Sequence, residues 1–481
     1  MDRGPADAAP GGAQPVGAGR DVAAGTAAFL LAALVLTAVG VALRVGDLRA
    51  VQTEHGELGP DAREYLIIAR QMKGFYWPTY REPLHPALIR MATWLVGPTQ
   101  RAARTVSLTF SSLLVLVAAL AGRRLYGTWP ALLAAAVVAF SPDYLMLSTE
   151  GLRTELYSVL LLTFLVFLAA RPGGREVSDR SQREAACTDS PSTRGSFLPV
   201  IFAGVTGGLL CLTQMTAFVF VFPGLLLWAL GRRGQPGRWS AALVSMVLVV
   251  LMVTPYLYVC QHYLGDSMIW INRHASWWHQ REALIKRSKD LSAAPSPSPR
   301  PSPSGRGGWG EGGSGAGKAP TPAAGSAAEP APPGGAVSVT KYLIGERPLT
   351  EFLSRFARGY ATIFHAYTAV FWVLVQSLGI GWLSKLAVVA GAAGFLGLVR
   401  SIWEGPRLPV AVALLSLLPV SFVVPVGAET RLFLHVLPLW VMWVAWGLGW
   451  LVKMVRTGLS SGPSPAEGLR PAGGLRRLPG C

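Results

Sequence analysis

Apolar runs of about twenty residues recur along the chain, and this recurrence leaves few folds open. An α-helix needs about that many residues to cross the hydrocarbon core of a bilayer. Such runs lie at 23–43, 105–121, 129–147, 156–170, 197–212, 216–230, 239–259, 378–399, 408–426 and 432–452. They predict an all-α polytopic membrane protein with about ten transmembrane helices, or eleven if the long run 370–399 is divided. Only 14% of the 481 residues are charged and 51% are hydrophobic. A soluble domain usually carries about a quarter charged residues.

The formal net charge is +17. In a soluble chain that excess would suggest nucleic acid. Here the arginines sit in short connections, at Arg123 and Arg124, at Arg171, Arg175, Arg180, Arg183 and Arg194, and at Arg232, Arg233 and Arg238. That distribution reads as an orientation signal rather than a nucleic-acid surface. With a cytoplasmic N-terminus, all of these loops fall inside. The loop 44–104, the turn 148–155 and Gln214 then fall outside, and both termini are cytoplasmic. Residues 1–22 read as a disordered lead, and the first apolar run as a retained anchor rather than a cleaved leader.

The domain plan follows from these spans. Residues 23–265 form an N-terminal transmembrane module containing the first external loop. Residues 266–368 form a second external loop with a Pro/Ser/Gly/Ala-rich insert at 293–335, too poor in apolar residues to build a core. Segment 349–367, with helical periodicity, reads as a helix on the membrane surface. Residues 369–455 form the C-terminal spans and 456–481 a basic tail. The four cysteines, at 187, 211, 260 and 481, show no C-x-x-C pair and support neither a disulfide framework nor a zinc site.

Chemistry concentrates in the first external loop, LGPDAREYLIIARQMKGFYWPTYREPLHP at 58–86. Asp61 opens an amphipathic run. An acid held at the membrane surface can take a proton from a weak nucleophile; the same Asp after Gly59-Pro60 also fits a helix N-cap. Glu64 reads as a helix-surface charge. Arg81 and Glu82 precede a proline turn and read either as a phosphate contact or as a local ion pair of little worth. His85 with Glu82 would begin a metal site, but no second His or Cys lies close in sequence, which favours a structural histidine. Glu150 and Glu155 flank Arg153 in an external turn. The acids either orient a substrate or a metal or are simply solvated, whereas Arg153 suits phosphate. Arg431, beside Glu429, reads as a snorkelling anchor or a phosphate ligand. His262, Tyr263 and His274 belong to the second loop. Gly207-Gly208 reads as close helix packing.

Five motifs in this order carry a family resemblance. They are the early acid in GPDAREYLIIARQM, the proline turn REPLHPALI, the acid and arginine in SPDYLMLSTEGLRTELYSVLLL, the hairpin GVTGGLLCLTQMTAFVFVFPGLLLW, and the arginine opening the last span in GAETRLFLHVLPLWVMW. The chain resembles the GT-C superfamily of membrane glycosyltransferases, in the branch of the protein O-mannosyltransferases and lipid A aminoarabinose transferases (glycosyltransferase family 39-like). The resemblance covers roughly 25–265 and 370–455. It implies transfer of a sugar from a polyprenyl-phosphate donor to a hydroxyl acceptor, inverting, on the periplasmic or exterior side of a cell membrane. It further implies Asp61 as general base with Glu150 and Glu155 as accessory acids, and Arg81, Arg153, Arg431 and Gln214 around the donor phosphate. His262 and Tyr263 would lie on the acceptor side. The resemblance names no cofactor, and a divalent metal is compatible with the pattern. Expected partners are the lipid-linked donor, membrane lipids and an unspecified hydroxyl acceptor, with no nucleic acid. Two departures stand out: Gln214 replaces a cation common in such hairpins, and His85 replaces an aromatic. The rival readings are a transporter or flippase for a lipid-linked sugar, or an inactive relative. A transporter usually shows repeated halves, and none is evident.

Overall fold

A computed structural model describes residues 18–53, 57–170, 198–232, 235, 237–269, 272–273, 275–276, 278–283, 348–377, 386–423 and 433–460. The lead before residue 18, the Arg-rich loop 171–196, the insert 293–335, His274, Arg431 and the tail from 461 lie outside the described residues. Every regular element among the described residues is helical. In order these are α1 (Ala18–Thr53), α2 (Pro60–Gln71), α3 (Leu84–Val96), α4 (Gln100–Tyr126), α5 (Thr128–Phe140), α6 (Pro142–Glu150), α7 (Thr154–Ala169) and α8 (Leu198–Thr213). A one-turn 3-10 helix, Met215–Ala217, leads into α9 (Phe218–Gly231), followed by α10 (Arg238–Leu264), α11 (Leu349–Ser377), α12 (Leu386–Trp403) and α13 (Arg407–Val423). A second 3-10 turn, Leu434–Val436, opens α14 (Leu437–Ser460).

Four stretches are long and apolar enough to cross a membrane: Ala23–Ala50, Gln100–Tyr126, Arg238–Leu264 and Leu434–Thr457. A fifth arises if α5 and α6, bent by 57°, form one broken span. Thr154–Ala169, Leu198–Thr213, Met215–Gly231, Ala387–Trp403 and Arg407–Val423 are shorter apolar helices. Each apolar run in the sequence overlaps one of these stretches, and the protein is an all-α membrane protein. Leu31, Leu34, Leu243, Leu251 and Val388 remain exposed on the outside of the bundle, as side chains facing lipid can.

Three local features depart from the sequence reading. The first helix does not stop at Leu43 but continues to Thr53, which brings Arg44 into the bundle. The run 129–147 is two helices, broken at Ser141. Pro142 has no N–H to give the Val138 carbonyl four residues back, and Arg44 supplies the missing donor. Its Nη2 donates to Val138 O at 2.8 Å, its Nε to Ser111 Oγ at 2.7 Å and its Nη1 to Gly40 O at 3.0 Å. A buried arginine is thus satisfied by carbonyls that a broken helix leaves open. The third departure is α11. It runs past the expected surface segment as one 29-residue helix. Its Ile363 and Tyr367 are buried, the Tyr360 hydroxyl donates to Leu414 O at 2.6 Å, and the Tyr367 hydroxyl donates to Phe433 O at 2.6 Å.

Helix α4 packs on α1, α5, α6 and α7, α7 on α8, and α8 on α10, while α14 joins α12 to α5 and α13 joins α9 to α11. Backbones touch where glycine permits. A Cβ on Gly359 would collide with the Ser421 carbonyl, and one on Gly397 with the Trp443 carbonyl. Small residues allow such approach in membrane bundles. Gly207 and Gly208 instead leave room for side chains, those of Val221 and Met252.

The bundle has two chemically distinct ends. At one, Arg123 donates to Thr26 Oγ1 at 2.8 Å and Arg238 to Arg232 O at 2.7 Å. At the other lie the start of α7, the end of α8 and the segment between α2 and α3.

Candidate active site

Helix α2 begins after Gly59, with Pro60 in its first turn and no side-chain cap. Asp61 is therefore not the N-cap. It sits inside the first turn, where the helix dipole favours an acid. Ala62, Tyr65, Leu66, Ile68 and Ala69 bury one face of α2. Asp61 and Glu64, three residues apart, share another face, and both reach Arg81. Arg81 Nη2 lies 2.8 Å from Asp61 Oδ1 and also contacts Glu64, and Arg81 Nε donates to Glu64 Oε2 at 2.6 Å. Glu64 faces Arg273 of the second loop as well, at 3.8 Å, so it belongs to the cluster instead of the plain helix surface.

The segment carrying Arg81 is pinned from α10. The Tyr256 hydroxyl bridges Thr79 O and Arg81 O at 2.9 and 2.8 Å. Arg81 and Glu82 do not pair with each other. Glu82 turns inward, with its side chain wholly buried, and forms an ion pair with Arg153. Its other oxygen accepts the Met215 N–H at 3.2 Å, while Arg153 Nη1 donates to Thr213 O at 3.2 Å. These bonds capture the donor and acceptor released where α8 stops at an extended Gln214 (φ −156°, ψ 110°). Helix ends leave such groups unsatisfied. Arg153 thus brings a guanidinium to the break beside Gln214, the position where the sequence lacks a cation.

Tyr65 joins the two ion-pair systems. The Arg81 and Arg153 guanidiniums lie 5.4 and 5.9 Å from its ring centre, and the His85 ring meets it edge-on at 4.9 Å. Burial raises the Tyr65 phenol above its ordinary value. His85 is buried, and its Nε2 lies 3.2 Å from Gly151 O. Gly151 has φ +77°, a left-handed turn that only glycine adopts freely, and it ends α6 before Arg153. Burial pulls His85 down to about 4, against the Gly151 carbonyl, which raises it, and with Arg153, which lowers it. The ring is therefore neutral at pH 7 and donates from Nε2 to Gly151. This is a structural histidine, as its isolation in the sequence suggested.

A pH effect follows from that shift. An unfolded histidine titrates near 6.5, so the unfolded chain binds the extra proton first as pH falls. Stability is complete above pH 6.5 and is lost between 6.5 and 4, by about 3 kcal/mol at most. Denaturant unfolding in detergent from pH 7.5 to 4.5 is expected to show this loss, with a flatter profile for His85→Gln. Identical pH profiles for the two proteins would refute the assignment.

The other sequence candidates are dispersed. Glu155 is fully buried in the first turn of α7. Neither carboxylate oxygen has a hydrogen-bond partner on another residue among those described. The charges that act on Glu155 are Arg44 and Glu150, not the Arg81 cluster. Glu150 ends α6 at an intermediate exposure. His262 and Tyr263 are exposed at the end of α10, where His262 stacks on Tyr258 and meets the edge of Tyr263. Cys260, on the same helix, approaches the Thr79 carbonyl at 3.8 Å. Among the described residues no three His, Cys, Asp or Glu side chains converge as a metal site.

Asp61, Arg81, Arg153 and the Gln214 break thus come together from α2, the loop before α3, the α6–α7 turn and the α8–α9 break. Sequence reading missed Tyr65, Tyr256 and Arg273, and underrated Glu64 and Glu82. The adjacency of Arg81 and Glu82 masked their separate partners.

Residues 79–174 match the family model described as dolichyl-phosphate-mannose-protein mannosyltransferase. The GT-C resemblance is borne out over that stretch, which includes Arg81, Glu82, His85 and Arg153. No curated protein sequence matches the chain significantly. Among solved structures, it is similar to the Archaeoglobus fulgidus oligosaccharyltransferase AglB in complex with an inhibitory peptide and a dolichol-phosphate. That similarity has a TM-score of 0.46 and 12% identity over 92% of this chain and 52% of the other. ArnT from Cupriavidus metallidurans bound to undecaprenyl phosphate gives 0.44 and 13%, over 91% of this chain and 63% of that one. The chain spans about half the length of the oligosaccharyltransferase and less than two thirds of ArnT.

Proposed function

We propose that the chain is a membrane glycosyltransferase which moves a sugar from a polyprenyl-phosphate donor to a hydroxyl acceptor at the exterior face, with inversion. One observation carries this reading: a half-exposed carboxylate, Asp61, pairs with Arg81, which shares the Tyr65 ring with Arg153, and both arginines lie within the stretch matching the dolichyl-phosphate-mannose-protein mannosyltransferase family.

Each group has a chemical task. The acceptor O–H gives its proton to the Asp61 carboxylate as its oxygen bonds to the anomeric carbon. The bond from that carbon to the phosphate oxygen breaks, and the lipid phosphate leaves with the electron pair. Attack opposite the leaving group inverts the anomeric centre. Arg81 and Arg153 face the charge that gathers on the departing phosphate, and a guanidinium meets phosphate oxygens in pairs. Tyr65 keeps the two guanidiniums on one side. Glu82 and Tyr256 fix the backbone that presents them.

The test uses the full chain in lipid nanodiscs, a panel of polyprenyl-phosphate sugars and a membrane extract as acceptor source. Mass spectrometry of released polyprenyl phosphate is expected to single out one donor sugar, with a product of opposite anomeric configuration. Donors that bind but are never cleaved would defeat the transferase reading and favour a transporter of lipid-linked sugars.

A further inference from the structure

We propose that Arg81 is an exchangeable counter-ion, retained by Glu64, which passes from Asp61 to the phosphate of an arriving lipid donor and so frees the base at the moment the substrate is seated. This rests on the donor and base assignments above.

The division of Arg81 carries the inference. It gives Glu64 two nitrogens, Nε at 2.6 Å and Nη2, but gives Asp61 only Nη2, at 2.8 Å. Both of those nitrogens converge on one Glu64 oxygen, Oε2, whereas Asp61 meets a single nitrogen. The acids also differ in setting. The Asp61 side chain is 36% exposed and that of Glu64 19%. Glu64 is braced by Arg273, and Tyr80 bonds to it. The anion that solvent and substrate reach first is therefore the one to which Arg81 commits less.

The rest of the cluster leaves no simpler way in for a phosphate. Its ion pairs join three carboxylates (Asp61, Glu64, Glu82) to three guanidiniums (Arg81, Arg153, Arg273). Among the described residues these ion-paired charges balance, so an incoming anion competes with one already there. Glu82 is sealed inside and Glu64 is held from two sides. Arg81 itself can pivot but not withdraw. Its carbonyl is tied to Tyr256, and its guanidinium lies over the Tyr65 ring. A carboxylate paired with a guanidinium is a poor proton acceptor. Exchange of its partner for phosphate restores Asp61 as a base only when a donor is present.

Binding of undecaprenyl phosphate to the full chain in nanodiscs tests this. Removing the competing anion with Asp61→Asn is expected to tighten binding about tenfold. Asp61→Ser should change it in the same direction. Glu64→Gln should give a distinctly smaller gain, because it loosens the post that holds Arg81. In an Arg81→Gln background, Asp61→Asn should give no gain. A gain from Glu64→Gln equal to that from Asp61→Asn would reduce the effect to general charge relief and overturn the exchange. No tightening in Asp61→Asn, with donor turnover intact in the parent chain, overturns the exchange and leaves the transferase reading standing. Absence of both lipid binding and turnover in every chain defeats the two together.

Discussion

Asp61→Asn is expected to lower sugar transfer by about 10²–10⁴-fold, the span typical of a positioned general base, without loss of fold. The substitution keeps the side-chain shape and a hydrogen bond to Arg81, whose Nη2 lies 2.8 Å away. What disappears is the ability to accept the acceptor proton. A purely structural Asp61, such as a cap, would instead show its effect in stability, but α2 has no side-chain cap for Asp61 to supply. The expected signature is a fall in kcat with little change in the denaturation midpoint. Transfer within a factor of three of the parent chain would remove Asp61 from the mechanism and shift attention to Glu150, on the same end of α6. Glu155 is the weaker replacement, because it is buried beside Arg44 and away from the Arg81 cluster.

The largest effect on stability is expected at Glu82. Its carboxylate has no exposed surface, pairs with Arg153 and accepts the Met215 N–H. Glu82→Ala leaves a guanidinium without its anion and an amide without its acceptor. Removing one partner of a buried pair typically costs about 3–5 kcal/mol. Denaturant unfolding in detergent should report a loss of that size, together with loss of transfer as the α8–α9 break loses its anchor. A double variant, Glu82→Leu with Arg153→Met, separates the two consequences. Apolar replacement of both charges is expected to recover most of the stability, yet not the transfer, because the guanidinium facing the donor phosphate is gone. A loss under about 0.5 kcal/mol in Glu82→Ala, the range of ordinary surface changes, would show that the pair is not structural. Recovery of transfer in the double variant would remove Arg153 from donor binding.

The all-helical membrane class and the order of the apolar stretches were legible in the chain, because an apolar helix announces itself by local composition; the span count of about ten was not, since only four or five stretches among the described residues reach spanning length. So was the concentration of polar residues at 58–86, from which Asp61 and Arg81 join Tyr65 and Arg153 in one cluster. Pairing was not legible. Arg81 and Glu82 are neighbours in sequence, and only the folded backbone sends one to α2 and the other to Arg153, across separations of 20 and 71 residues. Likewise, hydropathy ended the first span at Leu43. Arg44 becomes a buried bundle residue because Pro142, 98 positions later, leaves the Val138 carbonyl without its helical donor. Local composition therefore determined the architecture: transfer from water to lipid depends on each segment's own side chains. The tertiary structure alone decided which charges neutralise which, because an ion pair or a captured helix end depends on the other segment that arrives beside it.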